Sequence, residues 1–337
     1  MMPAQMIYPP CLVTDDGRRR RVGVEIEFAG LSCERAAGLV GELFGGRLER
    51  VDPHFFKVVD TRFGTVEVAL DSQYVHPDEP QMAADGANST WDDITRGVRN
   101  GLTSVLGDVA SLWLPVEIVS PPIPLERLPE FNAIVAALRA AGAEGSKDGL
   151  VYAFATQFNP EAPSLTATSM VAHLKAFLVL NDELRQAIDV DILRRSLPFA
   201  DPFPKAYARK VVDPDYQPDL AQLVEDYIDA NPTRNRDLDM LPLFAHVAPE
   251  RVFARIDDGR VRGRPTYHYR LPDTRLSDPD WDLIVEWNRW VEVEQLAADA
   301  RALRFVGSAF LADEEGRRHD ALPKAIDTWR TEKTAAP

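Results

Sequence analysis

Val22-Gly23-Val24-Glu25-Ile26-Glu27-Phe28 alternates apolar residues with others, which is the two-residue period of a β-strand. Val22, Val24, Ile26 and Phe28 share one face, and Glu25 and Glu27 stand side by side on the other. Neighbouring carboxylates repel. Water relieves that repulsion, whereas a divalent cation held between them converts it into binding energy.

The same design recurs along the chain. In Thr65 to Asp71, Val66, Val68 and Leu70 lie opposite Glu67 and Asp71; in Pro115 to Val119, Glu117 lies opposite Val116 and Ile118. Tyr152, Phe154 and Phe158 oppose Gln157 and Asn159, and Tyr267, Tyr269 and Leu271 oppose His268 and Arg270. Five strands with chemistry on one face only imply an α+β protein in which helices cover the apolar face of one antiparallel sheet. An ordinary solvated sheet shows the same alternation. Its outer face usually mixes in Lys, Ser and Thr, however, whereas these positions hold four glutamates and an aspartate. Such hard oxygen donors suit Mg²⁺ or Mn²⁺. A lone His268 reads equally as a hydrogen-bonded structural histidine, and Gln157 and Asn159 as satisfied sheet residues.

Around these strands, Ser32 to Phe44 reads as a helix capped by Ser32 and ended by Gly45-Gly46. Phe55 to Asp60 and Thr65 to Leu70 flank T-R-F-G, a hairpin signal. Pro77 to Thr90 reads as a loop, Trp91 to Val109, Leu125 to Ala141, Ser164 to Leu184 and Trp281 to Leu303 as helices, and Leu197 to Asp219 as irregular packed structure. We expect an N-terminal extension over residues 1–20, one catalytic domain over 21–313 and a polar tail over 314–337. Trp281, Trp287 and Trp290 read as core residues rather than a stacking platform.

The chain has 337 residues, 53 of them acidic and 38 basic, for a net charge of −15. That balance disfavours nucleic acid and anionic membrane as partners. The sequence lacks a secretory leader and an apolar run long enough to span a bilayer, so a cytoplasmic protein is expected. Cys11 and Cys33 are too few for a disulfide framework. Thr233 to Leu243 gathers Arg234, Arg236, Asp237 and Asp239, either as a clamp for a carboxylate or phosphate or as a buried ion-pair network.

Six segments in order, V-G-V-E-I-E-F, T-R-F-G-T-V-E-V-A-L-D, E-I-V-S-P-P, Y-A-F-A-T-Q-F-N-P-E, N-P-T-R-N-R-D-L-D-M-L-P-L and R-P-T-Y-H-Y-R-L-P, resemble the putative amidoligase family. That family is related to glutamine synthetase and glutamate-cysteine ligase. The resemblance runs from about Arg21 to Leu303. It implies a curved antiparallel sheet forming a funnel, with helices on its convex side, and an ATP- and Mg²⁺-dependent (or Mn²⁺-dependent) enzyme that joins a carboxylate to an amine through an acyl phosphate. The substrates it implies are small molecules or peptides.

Carried over residue by residue, the resemblance makes Glu25, Glu27, Glu67 and Glu117 metal ligands, with His268 where a glutamate ligand is common. Arg270 matches an arginine that contacts phosphate, and Glu25, Glu27 and Arg270 form the catalytic set. Gln157 and Asn159 stand where related ligases carry two histidines, and with Arg264 and Arg270 they are assigned to the nucleotide. Asp71, Arg234 and Arg236 are assigned to the substrate. Two alternatives stand beside the ligase: a metal- or nucleotide-binding module without turnover, favoured by the departures at Gln157, Asn159 and His268, and a related ATP-dependent phosphotransferase, since the superfamily that the resemblance implies includes guanidino kinases.

Overall fold

Alternation at the start of the chain becomes β1 (Arg21–Phe28), whose apolar side chains are fully buried. The computed structural model describes residues 4–70, 115–146, 148, 154–188, 201–314 and 320–335. The helix expected over Trp91 to Val109, the loop over Pro77 to Thr90 and the assignment of Asp71 lie outside the described residues. Ser32 caps α1 (Cys33–Phe44) by accepting from the Arg35 amide, and Gly45 ends it at φ 73°. Then come β2 (Arg47–Asp52), β3 (Phe55–Thr61), β4 (Gly64–Leu70), β5 (Val116–Val119) and β6 (Ile123–Pro124). The T-R-F-G turn closes β3 on β4, with Gly64 at φ 111°, a conformation that glycine adopts without strain.

The remaining elements are α2 (Leu128–Phe131), α3 (Ala133–Ala140), β7 (Thr156–Pro160), α4 (Ala167–Ile188), α5 (Lys205–Val212), α6 (Leu220–Ala230), β8 (Leu238–Asp239), α7 (Leu241–Val247), α8 (Pro249–Phe253), β9 (His268–Tyr269), α9 (Leu283–Ala298), α10 (Ala300–Glu314) and α11 (Ala321–Ala335). Among the described residues the strands form one open sheet in the order β2-β3-β4-β5-β1-β7-β9-β8, with β6 on the end of β1, and every pairing is antiparallel. The protein is therefore α+β, with the sheet that the five alternating segments imply.

Helices α4 and α9 cover the apolar face. Phe177 meets Tyr269 edge-on at 6.0 Å, Phe158 lies 6.0 Å from Trp287, and Trp290 packs against both Tyr267 and Tyr269 at 5.4 Å. Trp281, Trp287 and Trp290 are all buried core residues. Burying a side chain of this size removes 150–250 Å² or so from water, several kcal/mol in each case. Among the described residues no helix is long and apolar enough to cross a membrane.

Several expectations shift. The helix read over Trp281 to Leu303 breaks at Asp299, whose carboxylate caps α10 by accepting from the Arg301 and Ala302 amides. Asp is a strong helix-starter for that reason. α5 lies inside the stretch read as irregular, and β2 went unread because R-L-E-R-V-D is an edge strand exposed on both faces and lacks alternation. Nor are the termini loose. Arg20 is fully buried and forks onto Glu294 with two 2.7 Å bonds, and α11 buries Ala325, Ile326 and Trp329 where a polar tail was expected.

Candidate active site

Strand register aligns the polar residues. Glu49, Lys57, Glu67, Val119, Glu25 and Gln157 are successive cross-strand partners from β2 to β7, and Glu117 pairs with Glu27 in the adjacent row. Diagonal hydrogen bonds join the rows at the centre. Asn159 Nδ2 donates to Glu25 Oε1 at 2.8 Å, and Gln157 Nε2 donates to Glu27 Oε1 at 2.7 Å. Gly23 faces Asn159 in register, and a β-carbon there would come within 3.4 Å of the Asn159 Cβ. A larger residue at position 23 would compete with the amide for that space.

The two glutamates of the opening motif differ sharply. Glu27 is only 4% exposed, and its second oxygen accepts from the Ala155 backbone amide at 2.9 Å, so β7 and the residue that leads into it engage both oxygens. Glu25 has a side chain 15% exposed, and its Oε2 takes no hydrogen bond from the described residues. Burial favours the protonated form of Glu25. The His268 ring when charged, the Arg264 guanidinium at 3.9 Å, the Asn159 amide and Arg234 together outweigh burial and hold the carboxyl below its ordinary range.

From Glu27 the polar contacts continue across β9 to β8. Gln157 must turn its NH₂ to the Glu27 carboxylate, which only accepts, so its Oε1 faces His268 Nε2 at 2.8 Å and that nitrogen carries a proton. On the far side, His268 Nδ1 lies 3.3 Å from Asp239 Oδ2. That contact is a hydrogen bond only when a further proton lies between the two atoms. Burial pushes His268 down to about 4 despite Asp239 and Glu25, so at neutral pH the ring is uncharged. Glu27, Gln157, His268 and Asp239 thus form one buried line across four strands. The alternation of each strand was legible in sequence; the pairing of β8 with β9, which brings Asp239 to His268, was not.

Positive charge collects beside Glu25. Arg234 approaches Asp239 at 3.9 Å and is lowered to about 10 by burial, so it remains a cation at neutral pH. The Nε atoms of Arg234 and Arg264 are buried without a hydrogen-bond partner, as is the Asn159 Oδ1 acceptor. Arg270 donates to the Arg234 carbonyl at 2.6 Å. Arg236, assigned to the substrate from sequence, instead binds Asn231 Oδ1 and the Pro202 carbonyl, both at 2.8 Å, and lies over the Phe203 ring. Its neighbour Asp237 pairs with Arg185 and Asn181. Within the Thr233 to Leu243 cluster, Arg234 and Asp239 reach the polar face, while Arg236 and Asp237 form the buried ties of an ion-pair and hydrogen-bond network.

The five expected metal ligands are not brought together. Glu67 pairs with Lys57 at 3.1 Å, Glu27 is committed to β7, His268 to Gln157, and among the described residues no three His, Cys, Asp or Glu side chains form a group able to hold a metal. Mg²⁺, however, is commonly held by one or two carboxylates together with substrate phosphates. Glu25 Oε2 and the unsatisfied Asn159 Oδ1 are oxygen donors of the kind it takes.

A family model described as "Putative amidoligase enzyme" matches residues 18–292. The chain belongs to that family. No curated protein and no solved structure was found to match it. Membership makes the protein an enzyme candidate of the ligase type, and the matched span runs from β1 through β9 into α9, taking in the polar residues of this sheet face.

Proposed function

We propose that this amidoligase forms an amide bond between a carboxylate and an amine, with ATP consumed through an acyl phosphate, on an amino-acid or peptide substrate. The observation that carries the reading is the juxtaposition at Glu25. Oxygen acceptors with unused hydrogen-bonding capacity, Glu25 Oε2 and Asn159 Oδ1, adjoin the Arg234 and Arg264 guanidinium groups, whose buried Nε atoms make no hydrogen bond and whose contacts with Asp239 and Glu25 are as long as 3.9 Å. A site of both signs suits a triphosphate with its counter-cation, or a carboxylate next to an amine.

In this reading Glu25 and Asn159 hold Mg²⁺ or Mn²⁺, which when bound neutralises charge on the triphosphate oxygens. Arg234, Arg264 and Arg270 bind the transferred phosphoryl group or the substrate carboxylate and stabilise charge that grows in the transition state, an effect worth several kcal/mol where water is scarce. The carboxylate attacks the γ-phosphorus, ADP leaves, and the amine then displaces phosphate. Glu27 positions β7 and thereby Asn159. The curvature of the sheet into a funnel belongs to the same proposal.

The test is release of ADP and phosphate that requires both a carboxylate and an amine. Glu25→Gln should reduce it at least 100-fold while the unfolding midpoint stays near that of wild type; wild-type turnover in this variant would remove the centre of the proposal. A binding module without turnover is favoured by the commitment of both Glu27 oxygens to Gln157 and Ala155. Nucleotide-dependent thermal stabilisation, with no turnover over a broad substrate panel, would select it.

A further inference from the structure

Behind the apolar face, α4 turns a second stripe away from the sheet: Thr168, Val171, Ala172 and Lys175, at the three- and four-residue spacing of one helix face. α10 answers with Ala300, Leu303, Arg304 and Ser308. Small residues on both stripes leave the helices unable to fill the space between them. The result is a cleft of about 440 Å³, open to solvent, within the size range of small-molecule sites.

Its rim is fixed in place. Pro214 and Pro218 bracket a turn in which the Asp213 carbonyl accepts from the Tyr216 amide at 3.1 Å and from Lys175 Nζ at 2.8 Å. The Asp213 carboxylate is turned to the Asp215 amide, and the Tyr216 hydroxyl donates to Asp226 at 2.9 Å, which anchors the ring against the opening. The lining is apolar apart from a few hydroxyls and one amide, and its two charged residues, Lys175 and Arg304, are both cations. Neither makes an ion pair within 4 Å with a described carboxylate. In a chain of net charge −15, a cleft whose charged lining residues are both cations is a local exception. Lys175 spends one of its three donors on the Asp213 backbone carbonyl, and burial lowers its affinity for a proton more than the nearby Asp213 carboxylate raises it, so a bound anion would add stabilisation.

We infer that this cleft binds an amphiphilic organic anion, an aryl or alkyl carboxylate whose body fills the space between α4 and α10 and whose carboxylate is held by Lys175 and Arg304. The site lies on the far side of the sheet from Glu25 and is independent of the ligase chemistry. The test is calorimetric titration of the full chain with 2-naphthylacetate and, separately, with the matched cation 2-naphthylethylammonium. The carboxylate should bind one to one, at least tenfold more tightly than the cation. Lys175→Gln should weaken it by about tenfold, in line with loss of one charge-assisted bond. The exposed Arg304→Gln, which leaves the fold untouched, should weaken it in the same direction. Ala172→Phe should fill the cleft and remove binding, with circular dichroism unchanged. No saturable binding, equal binding of the cation, indifference to Ala172→Phe, or loss of binding in Glu25→Gln would each overturn the assignment, the last by moving the probe to the other face.

Discussion

Glu25 and Glu67 stand in one row of one sheet face, separated by Val119 of β5. Both come from alternating strands of the same design, yet their protonation shifts in opposite directions. At Glu67 burial wins over the single Lys57 partner and raises the pKa, whereas at Glu25 the cations and the Asn159 amide win over burial and lower it. The sheet thus has two halves. On the β3-β4 side a carboxylate meets a lysine across the strands, as on many solvated sheets. On the β1-β7-β9-β8 side the polar groups bond one another in a buried line, and the leftover valences are those of Glu25, Asn159 and two arginines. Chemistry is to be sought in the second half.

The sharpest way to break this distinction is to remove one carboxylate from each half. Glu27→Ala strands the buried Ala155 amide and the Gln157 NH₂, and each lost partner of a buried donor costs 1–3 kcal/mol or so. We expect a loss of about 3 kcal/mol in urea unfolding, together with loss of activity. Glu67→Ala should cost less than about 1 kcal/mol. Equal costs would mean that the two halves are energetically alike and that the buried line has no special role.

A second probe is acid. Below pH 6.5 the unfolded chain takes up a proton at His268 that the folded protein declines until about pH 4. Stability therefore falls as the pH drops through that window, by up to about 3 kcal/mol for a shift of this size. Glu25, whose folded pKa lies below its unfolded value, adds a loss of the same sign at the acid end. Glu67 acts in the opposite sense. His268→Gln keeps a donor toward Gln157 but cannot titrate, so its unfolding free energy between pH 7 and pH 4 should decline less steeply than that of wild type. Parallel curves would exclude His268 as the source.

These contrasts mark what sequence can and cannot carry. Alternation revealed which face each residue occupies, because a strand's side chains obey a period of two whatever the neighbours are. It identified Glu25, Glu27, Gln157, Asn159 and His268 as one surface, and their register and hydrogen bonds bear that out, while Arg270, just past β9, reaches the Arg234 carbonyl. Partners are a property of register, which alternation leaves open. Nothing in V-G-V-E-I-E-F says that Gln157 will lean on Glu27 rather than on Glu25, or that Lys57 will fall opposite Glu67. Arg234 and Arg236 differ by two positions and would share a face in a regular strand. The chain around them is a regular strand only at Leu238–Asp239, and Arg236 makes an isolated bridge to Asp201 instead, so periodicity lost its authority there and the two arginines went to different partners.

The smallest expected effect tests the outer half alone. In a double-mutant cycle of Lys57→Met and Glu67→Gln, the 3.1 Å pair should show a coupling free energy below about 1 kcal/mol. Partial exposure of both side chains lets solvent and salt screen the attraction, so the coupling should shrink further between 0.05 and 0.5 M NaCl or thereabouts. Turnover should change less than threefold in either single variant, because in this division of the sheet Glu67 is bound to its lysine rather than to the reacting groups. A collapse of activity in Glu67→Gln at unchanged stability would return Glu67 to the metal set and join the two halves into one site.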